Sequence, residues 1–230
     1  GFCFDVGHAN IVGLDFESFI TTLASRLKVL HIHDNDGEHD LLPVKAIADS
    51  GFSGCSKLNS VTIPNCVSTI GYLAFNYCAA LKSIIVPSSV TTIDYSAFNK
   101  CTKLVDVTLN EGLTSLGETA FSNCSSLVSL HLPDSLTTLG NSLFQSCTLL
   151  TNVNCPAGAS SLSSSMFYSC SALTEFTITK NIITLSGTVF RSCSKLTTIN
   201  YEGSISEWNS VNKESTWYSS CPLLTSVVCI

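Results

Sequence analysis

Apolar residues recur along this chain with a period of 23. Phe52 begins a column that continues as Phe75, Phe98, Phe121, Phe144, Phe167 and Phe190. Three residues after each comes Cys55, Cys78, Cys101, Cys124, Cys147, Cys170 or Cys193, and three later Leu58 and its successors through Leu196. Val61, Ile84, Val107, Leu130, Val153, Phe176 and Ile199 form the next column, with Ile63 through Tyr201 two positions on and Ile47 through Leu185 opening the units. The alternation Val61-Thr62-Ile63 predicts a short strand with both apolar side chains inward. Pro64, Pro87, Pro133 and Pro156 end such strands, because proline cannot donate to a ladder. A second extended piece at 67–70 is predicted to lead into a helical turn around 73–78. There the phenylalanines should stack as a spine and the thiols as a column.

One such unit cannot bury its apolar side chains alone, but stacked coils can. A period of this length with L-x-x-L-x-L reads as a leucine-rich repeat. The expected fold is α/β: a right-handed solenoid with a parallel sheet, short helical turns and a β-α-β N-terminal cap. Residues 44–201 form seven repeats. Residues 202–230 form an irregular closing unit, since Leu196 to Leu224 spans 28 positions and carries Trp208 and Trp217. The runs AF-x-x-C-x-x-L-x-x-I-x-I-P, as in Ala74 to Pro87, and the YEGSISEW segment resemble the BspA-like leucine-rich repeats of bacterial and protist surface proteins. The resemblance covers residues 47–230. It implies an extracellular or cell-surface binding or adhesion scaffold. The usual Asn/Cys position holds Cys66, Ser89, Gly112, Ser135, Gly158 and Asn181, so no continuous asparagine ladder is expected. The Phe and Cys columns should take over its role.

Residues 1–43 do not repeat. FCFDV and LKVLHIH read as strands. Between them Asp15 is a plausible N-cap, and Phe16, Phe19, Ile20 and Leu23 share one helix face. The runs CFDVGHAN and LKVLHIHDNDGEHDLLP resemble part of the xylose-isomerase-like sugar-phosphate isomerase/epimerase barrels. That resemblance implies Asp5 and His33 as metal ligands and His8 as a substrate contact. It covers about two of the eight strand–helix units of such a barrel, and the strands bearing its two glutamate ligands have no counterpart. The segment therefore reads as a barrel remnant with vestigial candidates Asp5 and His33. Leu27, Leu30 and Ile32 match Leu58, Val61 and Ile63 at an offset of 31, so the remnant is expected to imitate one coil and cap the solenoid.

Charged residues make up only 12% of the chain, about half the usual share, and net charge is −6. This argues against a nucleic-acid partner, which needs a basic patch. No run of 18 apolar residues spans a membrane, and no signal peptide is visible. A start at Gly1 that passes at once into FCFDV reads as a piece of something longer. Twelve cysteines would suggest a disulfide framework, but the metre of seven argues for reduced, buried thiols. Stacked coils set their Cβ atoms about 4.8 Å apart, beyond a relaxed disulfide, and a straight column diverges where zinc needs convergence.

His31, His33, Asp34, Asp36, Glu38, His39 and Asp40 read as a solvated acidic loop. No GxSxG, P-loop or dinucleotide fingerprint occurs, so neither catalysis nor a cofactor is expected. The candidate binding residues are Thr62, Ile85, Thr108, His131, Asn154, Thr177 and Asn200 on the open, concave sheet face, beside Ser60, Ser83, Asp106, Ser129, Asn152, Glu175 and Thr198. The expected function is non-catalytic binding of a protein or glycan there. A purely structural array in a longer surface protein and a fragment of a metal-dependent sugar isomerase are the alternatives. Oligomeric state stays open.

Overall fold

The computed structural model describes residues 45–230 and the backbone of two earlier strands, Phe2–Asp5 and Leu27–His31. The repeat winds into a parallel β-solenoid of about seven turns with very little helix. Each coil contributes a strand to two ladders. The first runs through Ser60–Thr62, Ser83–Val86, Asp106–Leu109, Ser129–Leu130, Asn152–Val153, Glu175–Ile178, Thr198–Tyr201 and Ser226–Cys229. Its hydrogen bonding is not continuous as expected, but falls into groups of two or three strands. The pair Ser129–Leu130 and Asn152–Val153 is only two residues long. There the Asn154 amide continues the pairing: it accepts from the Leu132 N–H at 2.7 Å and donates to the Leu132 carbonyl at 2.8 Å. The second ladder uses two-residue strands, and five of them, from Ala46–Ile47 to Thr138–Leu139, pair without interruption.

The third side of each coil corrects the sequence reading. Helical turns were expected around 73–78; the chain instead makes consecutive tight turns. The reason lies in the backbone. Two residues per coil take the left-handed conformation, such as Leu73 and Tyr77 at φ 56° and 60°, or Ser142 and Ser146 at 54° and 60°. An α-helix needs negative φ throughout. Successive N–H groups then alternate in direction. Ala74, Asn76 and Cys78 donate to Gly71, Leu73 and Phe75 within the coil, whereas Leu73, Phe75 and Tyr77 donate to Tyr95, Ala97 and Asn99 of the next. A helix would keep these bonds to itself. The turns spend half of them on stacking, and so form a third ladder.

The predicted columns are buried, apart from a partly buried Val107. The phenylalanine rings from Phe52 to Phe190 stack with centroids 5.3–6.0 Å apart and planes within 16°. Two further buried columns, Val67 through Ile182 and Ala74 through Val189, complete the core. Mixed hydroxyls and amides stand in for an asparagine ladder. Ser89, Ser135 and Asn181 donate to carbonyls of the preceding coil at 2.7–2.8 Å. The helix Ile205–Ser210 occupies the lengthened last unit, with a Ser204–Glu207 capping box and a buried Trp208.

At the other end, Phe2–Asp5 pairs in parallel with Leu27–His31, which pairs in parallel with Ser60–Thr62. The register sets Leu30 against Val61 and His31 against Thr62, an offset of 31. The predicted helix, His8, Ile32, His33 and the acidic loop beyond it lie outside the described residues. The β-α-β cap and the vestigial ligand pair lie there with them, and of Asp5 only the backbone is described.

Candidate binding face

Strand alternation turns one residue in two away from the core, and this builds the candidate site. Thr62, Ile85, Thr108 and His131 are exposed, Ile85 at 65%, whereas Asn154, Thr177 and Asn200 are half-buried. The last three come together. With Thr151, Asn152, Glu175, Thr179 and Glu202 they line an open groove of about 440 Å³. His131 joins Ser129, Asn152 and Asn154 around a neighbouring depression of about 260 Å³. Thr62, Ile85 and Thr108 line neither.

The groove offers amides, hydroxyls and two carboxylates, with no lysine or arginine in its lining. Its Asn154 amide is held in place by both bonds to Leu132. Sequence reasoning missed Thr179 and Glu202. The signal was present: they stand in the column that holds Pro64, Pro87, Pro133 and Pro156 in earlier coils. There, directly after the strands Glu175–Ile178 and Thr198–Tyr201, they place a hydroxyl and a carboxylate where other coils hold a proline ring.

The seven periodic cysteines are free thiols. Each thiol donates to the phenylalanine carbonyl of the coil before, from Cys78 to Phe52 at 3.2 Å through Cys193 to Phe167 at 3.1 Å. Cys221 continues the series to Phe190 at 2.8 Å. Burial pushes the Cys55 thiol up to about 11 and those of Cys101 and Cys147 up to about 12. These groups stay protonated at neutral pH and present no thiolate nucleophile. Among the described residues, no three His, Cys, Asp or Glu side chains are grouped to hold a metal ion.

A parallel solenoid with these columns is a leucine-rich-repeat fold. Residues 42–147 and 106–221 match the family described as BspA type leucine rich repeat region, and the chain belongs to that family. Solved structures agree. A leucine-rich-repeat protein of T. pallidum is similar at 27% identity and a TM-score of 0.67, over 84% of this chain and 86% of that one. A leucine-rich-repeat protein from Bacteroides ovatus shares the fold at 21% identity and a TM-score of 0.66, over 88% of this chain and 63% of that one. The pneumococcal vaccine antigen PcpA does so at 24% identity and a TM-score of 0.61, over 88% and 50%. Among curated proteins none matches. No helix among the described residues is long and apolar enough to cross a membrane.

Proposed function

We propose that this chain is a non-catalytic binding scaffold of a cell-surface protein, and that its partner, a protein or a glycan, seats on the outward sheet face. One observation carries the reading: the groove lined by Asn152, Asn154, Glu175, Thr177, Asn200 and Glu202. Its groups are those that recognise hydroxyls and amides. Its one aromatic lining residue, Phe176, is buried in the core and offers no exposed anchor, so single contacts should be weak and adhesion should depend on multivalent display. Glycan and host-protein arrays probed with the parent and with Asn200→Arg test this. Binding by the parent that the variant loses is expected. Hits unchanged by a bulky cation in the groove would move the site elsewhere. No hits on either array would favour the purely structural array.

The strand pairing supports a further reading of residues 1–43, as a barrel remnant that caps the first coil. Removing them leaves the edge of Ser60–Thr62 without its neighbour. The truncated chain should therefore be less soluble and less stable. Equal solubility and an unchanged unfolding midpoint would refute the cap. Stoichiometric divalent metal in the parent, lost in Asp5→Ala, would reopen the isomerase reading.

A further inference from the structure

The carboxylates of the outward sheet face have no cations among them. Two outward columns run from Ser60 to Thr198 and from Thr62 to Asn200, and the column from Pro64 to Glu202 follows them. Together they hold Asp106, Glu175, Glu202 and the titratable His131, but no lysine or arginine. Glu175 and Glu202 both line the groove of about 440 Å³, and both are exposed. Neither carboxylate has a hydrogen-bonding or ion-pairing partner among the described residues. Lys180 and Lys195 stand close to these strands in sequence, yet neither lines the groove, and the acid on which the Lys180 charge acts is Glu207. The two carboxylates mark opposite ends of the groove. Thr198 sits beside Glu175 in the ladder, and the Glu202 N–H still donates to the Ile178 carbonyl at 2.9 Å, so the register holds as far as Glu202. Four residues along the strand and one coil across set the two Cα atoms about 14 Å apart. Between them stand the half-buried Thr177 and Asn200.

We propose that the partner of this groove is an extended protein segment that carries cationic side chains at positions i and i+4. The inference rests on the groove being the binding site. In an extended chain alternate side chains face the same way, and i to i+4 spans about 13 Å. The two cations then meet Glu175 and Glu202, while a small polar side chain at i+2 lies over Thr177 and Asn200. Complementary charge is what steers and orients such a contact. A neutral glycan would leave both carboxylates without a counter-charge, and an anionic one would be repelled. Arginine suits the two ends best, because its guanidinium gives a carboxylate two parallel N–H bonds. Exposed ion pairs contribute little one at a time, which accords with adhesion through repeated copies.

Short serine–glycine peptides fixed at high density on a biosensor surface test the idea. One carries two arginines at i and i+4, the other at i and i+3, where an extended chain turns them to opposite sides. The 230-residue chain is passed over both at low salt. The i, i+4 peptide should retain it about tenfold more strongly than the i, i+3 peptide, and added salt should weaken the binding. Glu175→Gln/Glu202→Gln should lose about tenfold in binding and most of its salt dependence. Its circular dichroism and unfolding midpoint should stay unchanged, since both side chains are exposed. No binding to the i, i+4 peptide overturns the proposal, as do equal binding of the two peptides and binding that survives the double glutamine variant. A neutral glycan that binds the parent and the double glutamine variant, but not Asn200→Arg, would keep the groove as the site and overturn only the cationic partner. Ligands that bind the parent and Asn200→Arg alike would remove the groove, and this inference with it.

Discussion

At the scale of single residues, the cysteine column explains itself through a hydrogen bond. The Phe98 carbonyl accepts from the Cys101 N–H in its own coil at 3.2 Å and from the Cys124 thiol of the next at 3.3 Å. A cysteine is small enough for the crowded position and still supplies a donor. Its place in the core was legible from the metre. Its role as a donor was not, because hydropathy counts a thiol only as apolar. The raised thiol pKa values set a pH dependence. In the unfolded chain these thiols ionise at about pH 8.5, and in the fold they hold their protons to about 11 or 12. The unfolded state therefore sheds protons first as pH rises. Stability should be flat below about pH 8, then fall between the unfolded and folded values. Denaturant midpoints across that range should show it. The drop should be shallower in a Cys101→Ala/Cys147→Ala variant, and an equal slope in parent and variant would count against thiols as the cause. In the neighbouring column, Phe121→Ala should cost about 3–5 kcal/mol, because its ring is fully buried mid-spine. Thr108→Ala, exposed on the sheet, should stay within about 0.5 kcal/mol. Equal midpoints for these two variants would undo the assignment of inward and outward faces.

At the scale of elements, the strands were legible and the turns were not. Val61-Thr62-Ile63 alternates as a strand should, and the strand found there, Ser60–Thr62, has Val61 buried and Thr62 exposed. Phe75, Cys78 and Leu81 recur at intervals of three, which imitates one face of a helix. What excludes the helix is the pair of left-handed residues, and a sequence normally announces these with glycine. Here they are Leu, Tyr, Lys, Asn, Thr and Ser. The cost of the conformation, about 1–2 kcal/mol each, is offset by bonds such as Ser146 N–H to the Tyr168 carbonyl at 2.8 Å. Ser146→Gly should accordingly be neutral or stabilising by up to about 1 kcal/mol. Ser146→Val should destabilise, since branching at Cβ fits this φ poorly. Thermal unfolding of the two variants checks the order, and a valine variant at least as stable as the glycine one would contradict it. Side chains bind the coils as well. Thr91, Thr114 and Thr137 donate to the carbonyls of Ser68, Thr91 and Thr114 at 3.1–3.3 Å.

At the scale of the whole molecule, a period written in the sequence became the axis of the solenoid. Each coil touches chiefly its neighbours, so stability adds up along one dimension. The outward column was legible from strand alternation, but its gathering into a groove was not. That depends on which coils carry proline after the strand, and Thr179 and Glu202 look unremarkable until they are set beside Pro133 and Pro156. One consequence follows from the thiols. Every coil from Cys55 to Cys221 holds a buried sulfhydryl in the same column, and so the chain carries a ruler of its own fraying. In a linear array the ends open more often than the middle. Brief alkylation followed by mass spectrometry should therefore mark Cys221 and Cys55 early and Cys124 and Cys147 last. A single shared labelling rate would show that the coils open together, and the position of the slowest cysteine would locate the most stable part of the array.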